Sequence, residues 1–205
     1  YIRDISSNKL ITEKIDETSG GITFSLDDKY IFYSKLDKFH RPRTIYRHKL
    51  GTSVKDDELI FEEKSEAFTV SIGLSADEKY FFISTSDHNT SEQYYFSVNE
   101  KNPKPKLIKK RKRGIIYSVN SWDGYFYNHT NENAEDFKID RCKDLKNQSW
   151  ETYISAKDEV LIGGLVFLND WVIRSETSNA LGKLFVKNKN SNKEEELIFS
   201  DEKVI

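Results

Sequence analysis

Apolar residues in this chain occur in short blocks separated by polar stretches, and the blocks return at a fixed interval. The stretch Phe24–Asp37 (FSLDDKYIFYSKLD) is written again fifty residues later as Leu74–Asp87 (LSADEKYFFISTSD), with seven identical positions. A period of roughly 20–50 residues is typical of repeat architectures. The pattern therefore predicts a chain assembled from repeated structural units.

Each repeat is predicted to contain four strands. The first copy has a short apolar strand, a turn rich in residues that bond their own backbone, a nearly all-apolar strand, an alternating strand and a fourth strand. These are Gly21–Phe24, Ser25–Lys29, Tyr30–Ser34, Thr44–Leu50 and Glu58–Glu63. The second copy reads VSIGL, KYFFIS, EQYYFSV and KLIKK; the third has Ile115–Val119, Asp123–Tyr127, Phe137–Ile139 and Thr152–Ile154; the fourth has Leu161–Phe167, Asp170–Ile173, Lys183–Val186 and Glu196–Phe199.

Four-stranded units at this spacing are typical of a β-propeller, and the 3.6-residue apolar spacing of helical solenoids is absent. We therefore predict an all-β fold, a β-propeller fragment of about four blades plus half a blade. One partial propeller domain is expected over residues 1–205, with a half blade at 1–15 and blades at about 20–63, 68–109, 114–155 and 160–200. The open arc of blades and the first residue, Tyr1, indicate a piece of a longer protein.

Composition narrows the classes of function. Aromatic residues make up 13% of the chain, which argues against disorder. A net charge of -2 gives no electrostatic reason to expect nucleic acid or a membrane as a partner. The single Cys142 excludes an internal disulfide and fits a reducing compartment, so we expect a cytoplasmic protein. No apolar run approaches the roughly 20 residues that span a bilayer.

The sequence contains no convincing catalytic motif. Gly73–Asp77 (GLSAD) lacks the last glycine of G-x-S-x-G, and Ser75 is the turn serine already seen at Ser25. No His/Cys cluster has metal-ligand spacing, and no cofactor is expected. The basic run KPKLIKKRKR, residues 104–113, has two interpretations: a nucleic-acid or localisation patch, or a solvated fourth strand, which we favour. Glu194–Glu196 is interpreted as a charged loop end.

Several stretches of the chain are distinctive. They are Leu36–Asp37 with His40–Pro42, Tyr46–Thr52 and Asp87–Glu92, followed by Tyr117–Val119, Thr130–Asn131, Asp158–Leu161, Ser175–Glu176 and Ser178–Asn179. These stretches resemble the prolyl oligopeptidase family of serine peptidases, in particular its members that cleave after Arg or Lys. The resemblance implies a seven-bladed propeller that caps an α/β-hydrolase domain. The catalytic Ser, Asp and His would all lie in that domain, outside these residues.

The resemblance also implies a function and a set of partners. The propeller would limit access to the active site, so that short peptides enter and folded proteins do not. Its partners would be the hydrolase domain of the same chain and oligopeptide substrates. The alternative is a stand-alone propeller that serves as a protein-interaction or ligand-binding module. In either case we expect the open blade edges to drive self-association.

Candidate site residues lie in the loops between the second and third strands of two blades. They are Asp37, His40, Arg41, Asp87, His88 and Glu92. They are predicted to contact the hydrolase domain or to line the peptide access path, and the alternative is simple loop packing. The Asp37–His40 and Asp87–His88 spacings could form acid–base pairs, but backbone hydrogen bonding within the loops is the favoured interpretation.

Overall fold

The computed structural model describes residues 2–11 and 14–198, and almost all of its regular structure is β-strand. The strands are β1 Ile2–Asp4, β2 Lys9–Ile11, β3 Thr18–Phe24, β4 Tyr30–Leu36, β5 Pro42–Lys49, β6 Glu58–Glu62, β7 Thr69–Leu74, β8 Tyr80–Ser86, β9 Ser91–Ser97, β10 Lys106–Lys109, β11 Tyr117–Trp122, β12 Tyr125–Thr130, β13 Lys138–Cys142, β14 Glu151–Ile154, β15 Val160–Phe167, β16 Trp171–Ser178, β17 Leu181–Asn188 and β18 Glu194–Glu196. One 3-10 turn, Val54–Asp56, lies between β5 and β6. No helix in either described stretch is long and apolar enough to cross a membrane.

Four antiparallel meanders of four strands each make up the structure, together with the hairpin β1–β2. The sheets run β3-β4-β5-β6, β7-β8-β9-β10, β11-β12-β13-β14 and β15-β16-β17-β18. Each sheet therefore consists of strands consecutive in sequence, as in a propeller blade. The predicted fold class, a partial all-β propeller, is confirmed. The predicted blade limits and the single-domain prediction stay predictions.

The repeated turn explains why the sequence repeats. Ser25 Oγ accepts a hydrogen bond from the Tyr30 N–H at 3.0 Å and donates to Asp27 at 2.7 Å. Ser75 Oγ repeats both bonds with Tyr80 (3.0 Å) and Asp77 (2.8 Å). The polar side chains thus bond backbone groups that the tight reversal leaves unpaired. Ser75 is a turn residue, as predicted, and not a nucleophile.

Two strand predictions in the second half of the chain are wrong. Asp123 and Gly124 were placed inside a strand, but both have positive φ (49° and 78°) and form the two-residue hairpin turn between β11 and β12. Positive φ at both central positions is the requirement of a type I′ turn, which matches the twist of the flanking strands. As a result β11 runs to Trp122, whose ring is buried, instead of ending at Val119.

The last strand also differs from the prediction. Glu194–Glu196, interpreted as a loop end, forms β18 and pairs with Phe185–Lys187 of β17. The predicted strand over 196–199 extends to Phe199, which lies outside the described residues, as does Tyr1 of the predicted half blade. An edge strand needs only one paired side, so three exposed glutamates are tolerated there.

The chain divides into two compact units, Tyr1–Gly114 and Ile115–Ile205, and each has its own core. In the first unit, two sheets pack through Phe32, Ile45, Phe81, Ile83 and Phe96. The Phe32 and Phe81 ring centroids are 4.6 Å apart, a normal spacing for aromatic pairs. The nearly continuous apolar character of β4 and β8 therefore reflects burial in the sheets, as expected.

The second unit repeats this arrangement with different residues. Its core consists of Trp122, Tyr127, Ile139, Ile162 and Val172. The Trp122 indole donates to the Leu168 carbonyl at 2.8 Å, so its polar N–H is satisfied although the ring is buried.

Candidate functional site

The predicted loop between β4 and β5 is a rigid turn organised by Asp37. One carboxylate oxygen of Asp37 accepts hydrogen bonds from the backbone N–H groups of Phe39 (2.8 Å) and Arg41 (3.0 Å). The other oxygen accepts from Arg41 Nη2 at 3.0 Å and Nε at 3.2 Å. Desolvation raises the pKa of Asp37, but these donors outweigh it and hold the pKa below its usual value. The carboxylate is therefore charged at neutral pH and fixes the loop backbone.

Two arginines attach this loop to the connection between the first and second sheets. Arg41 Nη1 donates to the Glu66 carbonyl at 2.6 Å. Arg43 Nη1 donates to the Ser65 carbonyl. Both carbonyls belong to the β6–β7 connection, so Arg41 in the loop and Arg43 at the start of β5 are bonded to that connection. Arg41 is thus placed at the loop end, as predicted, but its guanidinium is engaged within the domain.

The loop between β8 and β9 is held in the same way, by an aspartate carboxylate that accepts hydrogen bonds from backbone N–H groups. Asp87 Oδ1 accepts from the backbone N–H groups of Asn89 (2.9 Å) and Thr90 (2.7 Å), and the Asp87 N–H donates to the Thr90 carbonyl at 3.0 Å. In the described part of the chain, no side-chain contact joins Asp37 to His40 or Asp87 to His88. The backbone-bonding interpretation of both aspartates is confirmed, and the acid–base pairs are not formed.

The tips of both loops point side chains into solvent. His40 and His88 are exposed, and Phe39 is 57% exposed. Lys38 Nζ lies 4.9 Å from the centre of the Phe39 ring and Arg41 Cζ lies 5.0 Å from it. The β4–β5 loop therefore presents an aromatic ring between two cations on a fixed backbone. Sequence analysis named His40 and Arg41 but missed Phe39, which no repeat or motif had singled out.

Glu92 was named with the β8–β9 loop and also begins the predicted strand EQYYFSV. In the structure it belongs to β9 and is 4% exposed. Its carboxylate accepts from Arg111 Nε (3.0 Å), Arg111 Nη2 (2.8 Å) and the Tyr94 hydroxyl (2.9 Å). Arg111 Nη2 also donates to Glu63 at 2.7 Å, and its guanidinium lies 4.0 Å from the Phe68 ring centre. Glu92 therefore helps to hold two sheets together.

The charges of this Glu63–Arg111–Glu92 cluster are mutually stabilised. Burial alone would raise the pKa of Glu92, but the hydrogen bonds and charge of Arg111 lower it below the usual value. Burial together with the bond to Glu92 raises the pKa of Tyr94 to about 12. Arg111 lies in the basic run that sequence analysis interpreted as solvated. β10 confirms the strand, whereas Arg111 itself is a partly buried ion-pair partner.

Comparison with known proteins identifies the family. The model of the family described as "Prolyl oligopeptidase, N-terminal beta-propeller domain" matches residues 1–204. The chain belongs to this family.

The relatives of this prolyl oligopeptidase propeller are peptidases. Protease 2 of Moraxella lacunata is 29% identical over 188 residues, which cover 91% of this chain and 27% of the relative. Dipeptidyl aminopeptidase BI of Pseudoxanthomonas mexicana is 23% identical over 90% of this chain and 26% of its own length. The chain thus spans about a quarter of the length of these curated relatives.

Solved structures show the same fold. Oligopeptidase B from Leishmania major superposes with a TM-score of 0.88 at 17% identity, covering 97% of this chain and 30% of that one. Oligopeptidase B from Trypanosoma brucei, with covalently bound antipain, gives a TM-score of 0.86 at 20% identity, over 94% and 29% of the two chains. The resemblance inferred from the sequence motifs is therefore confirmed at the level of the family: the chain is an N-terminal propeller domain of the prolyl oligopeptidase family.

The buried histidines of the propeller domain have structural contacts. In residues 2–11 and 14–198, no group of three or more His, Cys, Asp or Glu side chains could hold a metal ion. His48 is fully buried, and its Nδ1 lies 2.6 Å from Asp57, which also accepts from the Tyr33 hydroxyl at 2.8 Å. This trio fixes the β5–β6 connection against the sheet. His129 is largely buried, and burial lowers its pKa below the usual value.

Proposed function

We propose that this chain is the access-limiting propeller portion of a serine oligopeptidase similar to oligopeptidase B, whose full-length form hydrolyses short peptides after Arg or Lys. The family assignment and the peptidase relatives support this proposal. The observation that carries it lies in the β4–β5 and β8–β9 loops of the first unit, here called the loop end. Asp37 and Asp87 fix the backbones of these two loops, which present exposed aromatic and imidazole side chains. Catalysis would belong to a Ser-His-Asp triad in the hydrolase domain, with the propeller as its gate.

The loop end has the properties of a contact surface between domains. Rigid loops lose little entropy when a partner binds them, so binding energy is not spent on ordering. Aromatic and arginine side chains are enriched at the centres of protein interfaces. Phe39, flanked by Lys38 and Arg41, fits the role of an anchor, and His40 and His88 would lie beside it. The partner we propose is the hydrolase domain of the same chain, or an oligopeptide passing that domain.

Substitutions in the full-length peptidase test this proposal. We expect Phe39→Ala to loosen domain docking and to raise cleavage of a 30-residue peptide relative to a fluorogenic tripeptide ending in Arg. His88→Ala should act in the same direction but more weakly. Leu26→Ala is the matched control, because Leu26 is 52% exposed in the β3–β4 turn at the opposite end of the sheet. Docking is measured by small-angle scattering and by limited proteolysis between the domains.

The outcomes separate the parts of the proposal. If Phe39→Ala and His88→Ala match Leu26→Ala in both docking and peptide-length preference, the loop end is not the contact surface. If the full-length enzyme cleaves no faster after Arg or Lys than after other residues, the substrate class is wrong. If the full-length protein contains no hydrolase activity, the binding-module alternative replaces the gate.

We also propose a cytoplasmic location, since a lone cysteine requires no oxidising compartment. Fractionation of the source cell with an antibody against this domain tests the location directly. Recovery of the protein outside the cytoplasm would refute it.

A further inference from the structure

Cations and aromatic rings alternate along one side of the third sheet. Lys143 Nζ lies 5.3 Å from the centre of the Tyr125 ring, and Arg141 Cζ lies 4.6 Å from the same centre. Arg141 Cζ lies 5.0 Å from the Tyr153 ring, and Lys187 Nζ lies 5.1 Å from that same ring. These five residues, here called the cation ladder, join β12, β13, β14 and β17 within the second unit.

The ladder fixes the orientation of Arg141. Two tyrosine rings lie close to its guanidinium, whose donors all project within its own plane. Arg141 Nε donates to Glu151 at 2.7 Å, and Arg141 also interacts with the Tyr127 hydroxyl. The Arg141 side chain is 31% exposed and that of Glu151 is 60% exposed. The guanidinium is therefore held in one orientation and is partly exposed beside a solvent-exposed carboxylate.

A cleft of about 430 Å³ opens at this point, at the end of the sheet opposite the β12–β13 loop. Its lining includes Tyr125, Arg141, Lys143, Asn147 and Ser149. This volume lies within the usual range of about 300–1,000 Å³ for ligand sites. The cleft can therefore hold one or two residues of a peptide beside the guanidinium edge.

The other polar groups of the cleft are accounted for. Asp144 accepts from the Lys146 N–H and from Asn147 Nδ2, each at 2.9 Å, so its carboxylate is engaged by the loop itself. Cys142 is buried, and desolvation raises the pKa of its thiol to about 11, so it presents no thiolate. The groups left to meet a ligand are the Arg141 edge, the Lys143 ammonium and the Ser149 hydroxyl.

We infer that this cleft binds the carboxylate group of a peptide, held bidentately by Arg141 with Lys143 beside it. Guanidinium and carboxylate match in planar fork geometry, and Glu151 already shows that this guanidinium accepts a carboxylate partner. The two cations at the cleft are balanced by Asp144 and Glu151, so a monoanionic carboxylate is favoured over a dianionic phosphate. The choice of a peptide rests on the proposed function, whereas the carboxylate chemistry does not.

Titrations monitored by amide chemical shifts in the 205-residue chain test the inference. The probes are an acetylated and amidated Gly-Glu-Gly tripeptide, an acetylated Gly-Gly-Gly tripeptide with a free C-terminus, and propionate. An acetylated and amidated Gly-Gln-Gly tripeptide is the uncharged control. We expect the carboxylate probes to shift the amide signals of Tyr125, Arg141 and Glu151. Added salt should weaken the binding of these probes, because it screens the attraction between the opposite charges. The preferred peptide tells whether the carboxylate comes from a side chain or from a chain end.

Two substitutions of opposite effect distinguish a binding role from a structural one. Arg141→Lys keeps the charge but loses the fork, and should weaken binding at least about five-fold. Glu151→Gln removes the internal competitor, and should tighten binding about two- to five-fold, the range expected for an exposed ion pair. Lys183→Gln, on β17 and paired with Glu196, is the control and should change nothing.

Specific results would overturn the inference. Equal shifts from the glutamine peptide would mean that no carboxylate is recognised. Unchanged affinity in both Arg141→Lys and Glu151→Gln would mean that Arg141 serves only the sheet. Binding of propionate without either carboxylate peptide would remove the peptide as ligand, independently of whether the full-length enzyme is a peptidase.

Discussion

Replacing Arg111 by Met tests how much the Glu63–Arg111–Glu92 cluster contributes to stability. Met keeps an unbranched apolar side chain but removes the charged guanidinium, which lies over the Phe68 ring. It leaves two carboxylates, 3% and 5% exposed, without their cation. Removing one partner of a buried ion pair costs about 3–5 kcal/mol, because the remaining charge is buried and uncompensated. We expect a loss of this size in the free energy of unfolding at pH 7.

The pH dependence of this loss gives a second, independent signature. In the native protein Arg111 holds the pKa of Glu92 below its usual value, so the stability it contributes is present above about pH 4 and is lost as the pH falls further. In the variant Glu92 lacks its cation, so burial raises its pKa above the unfolded value. Protonation of Glu92 relieves part of the penalty, and the stability gap between the two proteins should narrow from pH 7 to pH 4.

The assay has to report on the first unit. Trp122, Trp150 and Trp171 all lie in the second unit, so tryptophan fluorescence would follow the wrong part of the chain. Urea unfolding should be followed by far-ultraviolet circular dichroism, with amide hydrogen exchange at β9 as a local measure. Arg113→Met is the matched control, since Arg113 is exposed two positions along the same basic run. A loss no larger than that of the control, or a gap that widens on acidification, would refute the reasoning.

Three further predictions follow from single features of the structure. Gly163→Ala should destabilise the second unit by about 1–3 kcal/mol in thermal melts, because the added Cβ would collide with Ser175 Oγ and lie 3.0 Å from the Ser175 carbonyl oxygen. Gly164→Ala is the control and should have a clearly smaller effect, because a Cβ added there meets no atom within 4 Å. Cys142 should resist iodoacetamide at pH 8 until urea unfolds the chain, since burial raises its pKa to about 11, and rapid labelling of the native protein would contradict this. The 205-residue chain should self-associate in multi-angle light scattering, with Val166 57% and Trp171 44% exposed on β15 and β16; a monomer at high concentration would refute this.

The repeat allowed the fold to be predicted because the turn chemistry is local. Ser25 and Ser75 each bond backbone within five residues, so the sequence alone carries the information. The type I′ turn at Asp123–Gly124 was equally local, but its dipeptide was read as part of a strand. Glu194–Glu196 could not be assigned from propensity, because pairing with β17 determines that strand.

The candidate site was predictable only where short-range contacts define it. The aspartate-fixed loops at Asp37 and Asp87 followed from residues up to four positions apart. Glu92 and Arg111 are nineteen residues apart and Glu63 and Arg111 forty-eight, so composition showed only a basic run and scattered glutamates. The cation ladder likewise joins four strands, and no spacing along the chain indicates it.

The way in which Asp37 and Asp87 hold the β4–β5 and β8–β9 loops also determines which residues at the loop tips can change during evolution. Both loops are held by an Asp carboxylate that accepts from backbone N–H groups, with the Arg41 side chain as a further donor in the β4–β5 loop, and a backbone N–H is supplied by any residue except proline. Phe39, His40 and His88 contribute no side-chain hydrogen bond to these turns within the described residues. Substitutions at Phe39 and His88 therefore leave the strand reversals intact, whereas His40, with a φ of 59°, accepts only residues that tolerate the left-handed conformation. A lineage can vary what this surface contacts at the first two positions while the blades stay unchanged.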